Sequence, residues 1–190
     1  MTRTYTLGKR AEQQADTRRR IVEAAVALHT EVGPARTTFS MVAERAGVQR
    51  NTFYSHFPDE RTLLLACSAL SLERDPLPDA DAWRGIGDRA TRLTAGLTAI
   101  YAWYERNADL TGCVLRDADS QPLVREIVEL RWAPYHVAYD EVLSEGLGAP
   151  ARALLRLALD YFTWRSLVRD SGLAPGDAVR TMVSAISAAR

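Results

Sequence analysis

Apolar residues recur along this chain at three- and four-residue intervals, and no stretch alternates strictly between apolar and polar side chains. That period gathers apolar side chains on one face of a helix and predicts an all-α protein. Glycine and proline interrupt it at Gly33-Pro34, Gly47, Pro58, Pro76 and Pro78, Gly112, Pro122, Gly146 to Pro150, and Gly172 to Pro175. These breaks divide the chain into about nine helices. The first is expected over 16–32, capped by Asp16, burying Ile21, Ala24, Ala25 and Leu28, and ended by Gly33-Pro34. Two short helices follow over 39–46 and 50–56, and Pro58-Asp59 opens a fourth that runs to Arg74. Pro76 and Pro78 mark 75–80 as a link. Longer helices are expected over 81–105, 108–118, 122–146, 150–171 and 175–189. Pro134 lies inside the third of these, where a missing backbone hydrogen bond should kink it.

The most informative stretch is 38–57. Thr38 is a natural N-cap, Val42, Ala43 and Ala46 face inward, and Gly47 sits where a tight turn needs a left-handed backbone. Val48 and Phe53 then anchor the next helix. Its outer surface carries Gln49, Arg50, Asn51, Thr52, Tyr54, Ser55 and His56, nearly all hydrogen-bonding side chains and none acidic. Such a helix suits the DNA major groove, where base edges offer donors and acceptors between two rows of phosphates. Arg50 has the geometry for a bidentate contact to guanine. Thr38 and Ser40, at the start of the preceding helix, can reach phosphates that its dipole also favours.

Charge strengthens this picture. The net charge is zero, yet residues 1–58 carry nine basic and five acidic side chains, and 59–190 carry 15 and 19. A basic N-terminal part joined to an acidic remainder suits an N-terminal encounter with a polyanion. Arg3, Lys9, Arg10, Arg18, Arg19 and Arg20 form a basic arm, read either as a solvated tail or as a segment that follows the DNA backbone.

The stretch closely resembles the helix-turn-helix of the TetR family of bacterial repressors. The likeness rests on Thr17 to Ala25, Gly33, Thr38, Val42-Ala43, Ala46-Gly47-Val48, Thr52-Phe53-Tyr54, His56-Phe57-Pro58-Asp59 and Leu63-Leu64, and covers the first ~75 residues. It implies that Arg50, Asn51, Thr52, Tyr54, Ser55 and His56 supply base and phosphate contacts, with Tyr54 and His56 on phosphate. The sequence departs from the family at Glu60, where a lysine commonly grips the backbone; Arg61 is the candidate substitute. The expected organisation is a flexible basic arm over 1–15, a helix-turn-helix domain over 16–61 with a connecting helix over 61–75, and a ligand-binding and dimerisation domain over 76–190.

The resemblance is weaker past residue 75. It implies a homodimer through the last two helices, and the sequence agrees. Apolar residues among Leu154 to Val168 cover too much circumference for one buried face, and Met182, Val183, Ile186 and Ala189 make a second stripe. A two-fold dimer also suits a palindromic operator. Aromatic and polar residues crowd the middle of this part. Tyr101, Trp103, Tyr104, Trp132, Tyr135, His136, Tyr139 and Phe162 are the candidate lining of an effector cavity, the alternative being that they fill core and interface. With few buried charges at hand, the unknown small-molecule effector is expected to be apolar or aromatic.

The remaining composition excludes rather than adds. Cys67 and Cys113 are too few for a disulfide framework or a zinc site. His29, His56 and His136 stand at no spacing that suggests a triad or metal site, so no catalytic residue, metal or cofactor is expected and the protein is read as no enzyme. No apolar run reaches the roughly 20 residues of a membrane span, and the polar N-terminus resembles no signal peptide. Cytoplasmic residence is the expectation. The reading is a ligand-responsive transcriptional repressor, with a ligand-independent dimeric DNA-binding protein as the alternative.

Overall fold

The computed structural model describes residues 3–189. Met1, Thr2, Arg190 and the side chains of residues 3–7, including Arg3 of the expected arm, lie outside the described residues. Among the described residues helices account for 81% of the structure and there is no strand, so the fold is all-α. The α-helices are α1 (Arg3–Glu31), α2 (Phe39–Ala46), α3 (Arg50–His56), α4 (Glu60–Arg74), α5 (Asp81–Arg84), α6 (Arg89–Arg106), α7 (Ala108–Ala118), α8 (Pro122–Leu143), α9 (Ala149–Leu159), α10 (Tyr161–Arg165) and α11 (Pro175–Ala188). A single 3-10 turn precedes α2 (Pro34–Arg36), and a π-helical turn continues α10 (Ser166–Asp170).

Three differences from expectation have local causes. Helix α1 begins at Arg3 rather than Asp16, so most of the expected arm is helical. The run from Lys9 to Ala15 holds good helix formers and no proline, and Asp16 can cap a helix only where the preceding chain leaves it. The helix expected over 81–105 is split. Gly85 and Gly87 interrupt it, and Asp88 restarts the chain as the N-cap of α6 by accepting from the Thr91 N–H at 2.8 Å. The helix expected over 150–171 breaks at Asp160, whose extended backbone (φ −77°, ψ 135°) ends α9. Its Oδ1 accepts from the N–H groups of Phe162 and Thr163, which starts α10. That break turns the apolar side chains of the segment in two directions and accounts for the circumference too wide for one helix face.

The chain forms two compact units. The first comprises 1–74 and 113–127, the second 75–112 and 128–190. In the first, Ile21, Ala25 and Leu28 of α1 pack with Val42 and Ala43 of α2, Phe53 of α3, Phe57, and Leu63 and Cys67 of α4. Burial pushes the Cys67 thiol up to about 12, so it behaves as a small apolar group. A bidentate pair between Arg45 and Glu31 (2.8 Å for each bond) ties α2 to α1.

In the second unit α11 packs on α6 and α9, burying Met182 and Ile186. Leu93, Leu97, Leu143, Leu155 and Trp164 are fully buried. Residues 75–80, expected as a link, are anchored within this unit. The Asp75 carbonyl accepts from Trp103 Nε1 at 3.0 Å, and the Asp75 carboxylate accepts from Arg106 Nε and Nη2 and from Asn107 Nδ2. Those bonds from Arg106 hold its carboxyl below the usual range. Among the described residues no helix is long and apolar enough to cross a membrane.

Candidate nucleic-acid interface and ligand-binding region

Helices α2 and α3 are short, and elements at their ends fix the angle between them. Thr38 Oγ accepts from the Met41 N–H at 3.2 Å, closing the first turn of α2. Gly47 adopts φ 64°, ψ 40°, the left-handed geometry that ends α2 and that a Cβ disfavours. Its N–H returns to the carbonyls of Ala43 and Glu44, and Val48 bonds back to Ala43. Phe53 then enters the core at 1% exposure. These two anchors leave Arg50, Asn51, Tyr54 and Ser55 exposed on one side of α3, with Thr52 and His56 half-buried beside them. Thr38 and Ser40 are exposed as well. The Tyr54 ring is held edge-on by Phe39 and Phe53, both at 5.8 Å, while 43% of the residue stays open to solvent.

Arg61, the candidate substitute for the lysine missing at Glu60, is engaged. Arg61 donates through Nε (3.1 Å) and Nη2 (2.8 Å) to Glu126 Oε1 at the start of α8. Both partners are about half exposed, so the pair is open to water and salt. Asp59 caps α4 through the Thr62 N–H and hydroxyl, and these bonds hold its carboxyl below the usual range. Arg18, assigned from sequence to the arm, stays exposed but reaches across to the end of α3. Its Nη1 donates to the His56 carbonyl at 2.9 Å, and its guanidinium stacks 4.2 Å from the centre of the Phe57 ring.

The loop entering α2 is set by α7 within the same unit. Asp117, 5% exposed, accepts from the Ala35 N–H at 2.9 Å and from Arg116 Nε at 2.9 Å. Arg116 Nη2 also reaches the Val32 carbonyl, and Cys113 Sγ the Thr30 carbonyl. His29 is buried beside this group, and burial lowers its pKa from 6.5 to about 4 against the opposing pull of Asp117. The sequence reading missed Asp117 because an aspartate on an amphipathic helix reads as a solvated charge.

In the second unit the structure divides the eight aromatic and polar candidates. Tyr101, Trp103, Tyr104 and Tyr139 are buried, each with its polar atom on a backbone carbonyl. Tyr101 donates to Ala158 (3.0 Å) and Tyr104 to Leu159 (2.7 Å), capping the carbonyl end of α9, and Tyr139 donates to Pro78 (2.6 Å). Burial raises all three phenols well above their ordinary range. Trp132 and Tyr135 are half-buried, and His136 and Phe162 are exposed. Trp132 joins the cluster edge-on to Trp103 at 5.6 Å. Trp164, counted from sequence among the apolar residues of 154–168, lies at the centre. It is fully buried, 5.8 Å from Tyr104 and 5.3 Å from Tyr161, with Nε1 lacking an acceptor. An open groove of about 600 Å³ runs between α8 and α9, lined by His136, Val137, Asp140, Arg156, Leu159 and Asp160.

Comparison with known proteins follows from this geometry. Residues 21–67 match the family described as bacterial regulatory proteins, tetR family. Among solved structures the fold is similar to the fatty acid degradation regulator FadR of Bacillus halodurans, at 19% identity and a TM-score of 0.63, covering 90% of this chain and 95% of that one. It is likewise similar to FadR of Bacillus subtilis in complex with stearoyl-CoA (16%, 0.61, 89% and 97%). A tetR-family transcriptional regulator from Streptomyces coelicolor also matches (17%, 0.61, 92% and 80%). No curated protein sequence matches.

Proposed function

We propose that this chain, whose residues 21–67 match the tetR family of bacterial regulatory proteins, is a ligand-responsive repressor of that family, released from a palindromic operator by a small apolar or aromatic effector. The observation that carries this reading is the α2–turn–α3 unit, in which Gly47 and buried Phe53 turn Arg50, Asn51, Tyr54 and Ser55 outward on a face without an acid. Thr38, Ser40, Thr52, His56 and Arg61 complete the proposed contact set, and residues 16–61 the proposed DNA-binding domain. Residues 76–190 are proposed to bind ligand and to form a homodimer through the last two helical segments, α9–α10 and α11. Leu157 and Phe162 support the dimer, being large apolar residues left 52% and 39% exposed on α9 and α10.

The Trp164 N–H, buried without an acceptor beside Tyr104 and Tyr161, supports a ligand that brings an oxygen into this apolar region. The stearoyl chain carried by the Bacillus subtilis protein of like fold supports an apolar class. Such a ligand acts by population shift and must prefer the DNA-incompetent state by a few kcal/mol. The second reading, a ligand-independent dimeric DNA-binding protein, is favoured by one observation. Tyr101, Trp103, Tyr104 and Tyr139 already have their polar atoms tied to backbone carbonyls.

Selection of binding sites from a random duplex library, followed by a salt titration, tests the function. The expected result is a palindrome with half-sites about 34–36 Å apart, bound with an affinity that falls steeply with salt. Failure to enrich any site, with weak binding even at low salt, overturns it. On the selected site, Glu126→Gln frees Arg61 from an ion pair worth at most about 1 kcal/mol. The expected gain is about two- to fivefold in affinity, with a salt slope steeper by about one phosphate. An unchanged slope assigns Arg61 to the ion pair alone.

A further inference from the structure

Helix α3 has only seven residues and no side-chain bond at its N-cap Gln49, so its own hydrogen bonds cannot hold it. What holds it comes from outside. Phe53 anchors its middle, and Phe57, fully buried and 6.0 Å from the Phe53 ring, anchors the chain just past its end. The last carbonyls of a helix have no partner within it. At α3 the His56 carbonyl is taken by Arg18 of α1, whose guanidinium also covers the Phe57 ring at 4.2 Å. A cation at this end opposes the negative pole of the helix, and over an aromatic face it adds a further attraction. One side chain thus touches both the last carbonyl of α3 and the aromatic anchor just past it.

From this geometry we infer that Arg18 is a positioning residue for the recognition helix. It sets the specificity of base readout by holding α3 at the angle that presents Arg50, Asn51 and Tyr54, and it is not one of the cations that grip phosphate. The inference rests on the reading of α3 as the DNA-reading helix. It separates Arg18 from Arg19, its neighbour in sequence, which is likewise exposed but pairs within α1, with Glu23 at 3.2 Å.

The two roles differ in what they do to sequence discrimination and to salt dependence. A phosphate contact weakens binding uniformly across sequences and lowers the salt slope by about one when removed. A positioning residue lowers affinity for the operator alone. The experiment uses the full chain with Arg18→Gln and Arg18→Lys, titrating the selected site and a scrambled duplex at several salt concentrations, with a thermal melt of each protein. The expected result for Arg18→Gln is a loss of about tenfold or more on the selected site, the scale of one misplaced base contact. Binding to the scrambled duplex should change less than about twofold and the slope should stay the same. Lysine, which keeps the charge and a donor, should recover part of the discrimination.

Equal losses on both duplexes with a slope lower by about one overturn the inference in favour of a phosphate contact. A lowered melting temperature with an unchanged ratio of selected to scrambled binding overturns it in favour of a stability role alone. If Arg18→Gln does not fold, the same ratio measured for Arg18→Lys decides. A wild-type chain that discriminates no duplex defeats the DNA-reading function itself, an outcome distinct from a discriminating wild type that Arg18→Gln leaves untouched.

Discussion

Replacing Gly33 with alanine is expected to destabilise the N-terminal unit by about 3–5 kcal/mol, the sum of backbone strain and a lost buried hydrogen bond. Gly33 has φ 91° and ψ 158°, a region of the map that residues bearing a Cβ scarcely enter. Space is also lacking. A Cβ there would collide with Arg116 Nη2 and Asp117 Oδ2 and stand 3.2 Å from Asp117 Cγ. Asp117 cannot retreat freely, because its Oδ2 holds the Ala35 N–H and its Oδ1 holds Arg116. Relief of the collision therefore breaks the bond that shapes the entry to α2, and the helix pair α2–α3 loses its footing. For a chain of this length the loss corresponds to a fall in Tm of about 10 °C. Thermal unfolding followed by circular dichroism checks it; a fall of about 2 °C or less would show that the loop has room to rearrange.

Acidification should weaken the fold in a defined window. His29 is buried neutral, with its pKa lowered from 6.5 to about 4, chiefly by burial. Between those values the unfolded chain binds a proton that the native chain refuses, so stability falls as pH drops from 6.5 towards 4 and levels off below. At about 1.4 kcal/mol per pH unit, the total loss is about 3 kcal/mol. Glu31, Asp59, Asp75 and Asp88 all have lowered pKa values, from the bonds of Arg45, Thr62, Arg106 and Thr91 respectively, and lose their contributions at still lower pH. The His29 step thus precedes theirs. Urea unfolding midpoints at pH 7, 5 and 4 measure it, and His29→Gln should flatten the profile between pH 6.5 and 4. A wild-type midpoint unchanged across that window would mean that His29 accepts its proton in place, with Asp117 outweighing burial.

Much of the DNA-binding unit was legible in the sequence because its determinants are local. The caps Thr38 and Asp59, the left-handed Gly47 and the spacing of Val42, Ala43, Ala46 and Phe53 act within a few residues. The helices at 39–46, 50–56 and 60–74 accordingly lie where the pattern puts them. Two breaks were equally local and still overlooked. Asp88 followed by Thr91, and Asp160 ahead of Tyr161, are N-cap signals embedded in continuous apolar periodicity, and the longer pattern hid the shorter one. The candidate ligand region was legible only as a crowd of aromatic residues. Which of them lie buried and bonded, as Tyr101 and Tyr104 do, depends on the carbonyls of Ala158 and Leu159 more than fifty positions away.

The sequence by itself determined that the chain is helical, where most helices start and stop, and that α3 presents polar, non-acidic side chains. Caps, turns and periodic apolar faces are set by interactions between near neighbours, and these are written in order along the chain. Only the tertiary structure decided what the charged side chains do. Arg18 could as well have followed a DNA backbone, Arg61 stood as the stand-in for a missing lysine, and nothing in the sequence singled out Asp117. Packing instead turned them towards the His56 carbonyl, Glu126 and the Ala35 N–H. A long charged side chain has many rotamers of similar energy in the extended chain, and its partner is chosen by whichever distant group the fold brings within hydrogen-bonding distance.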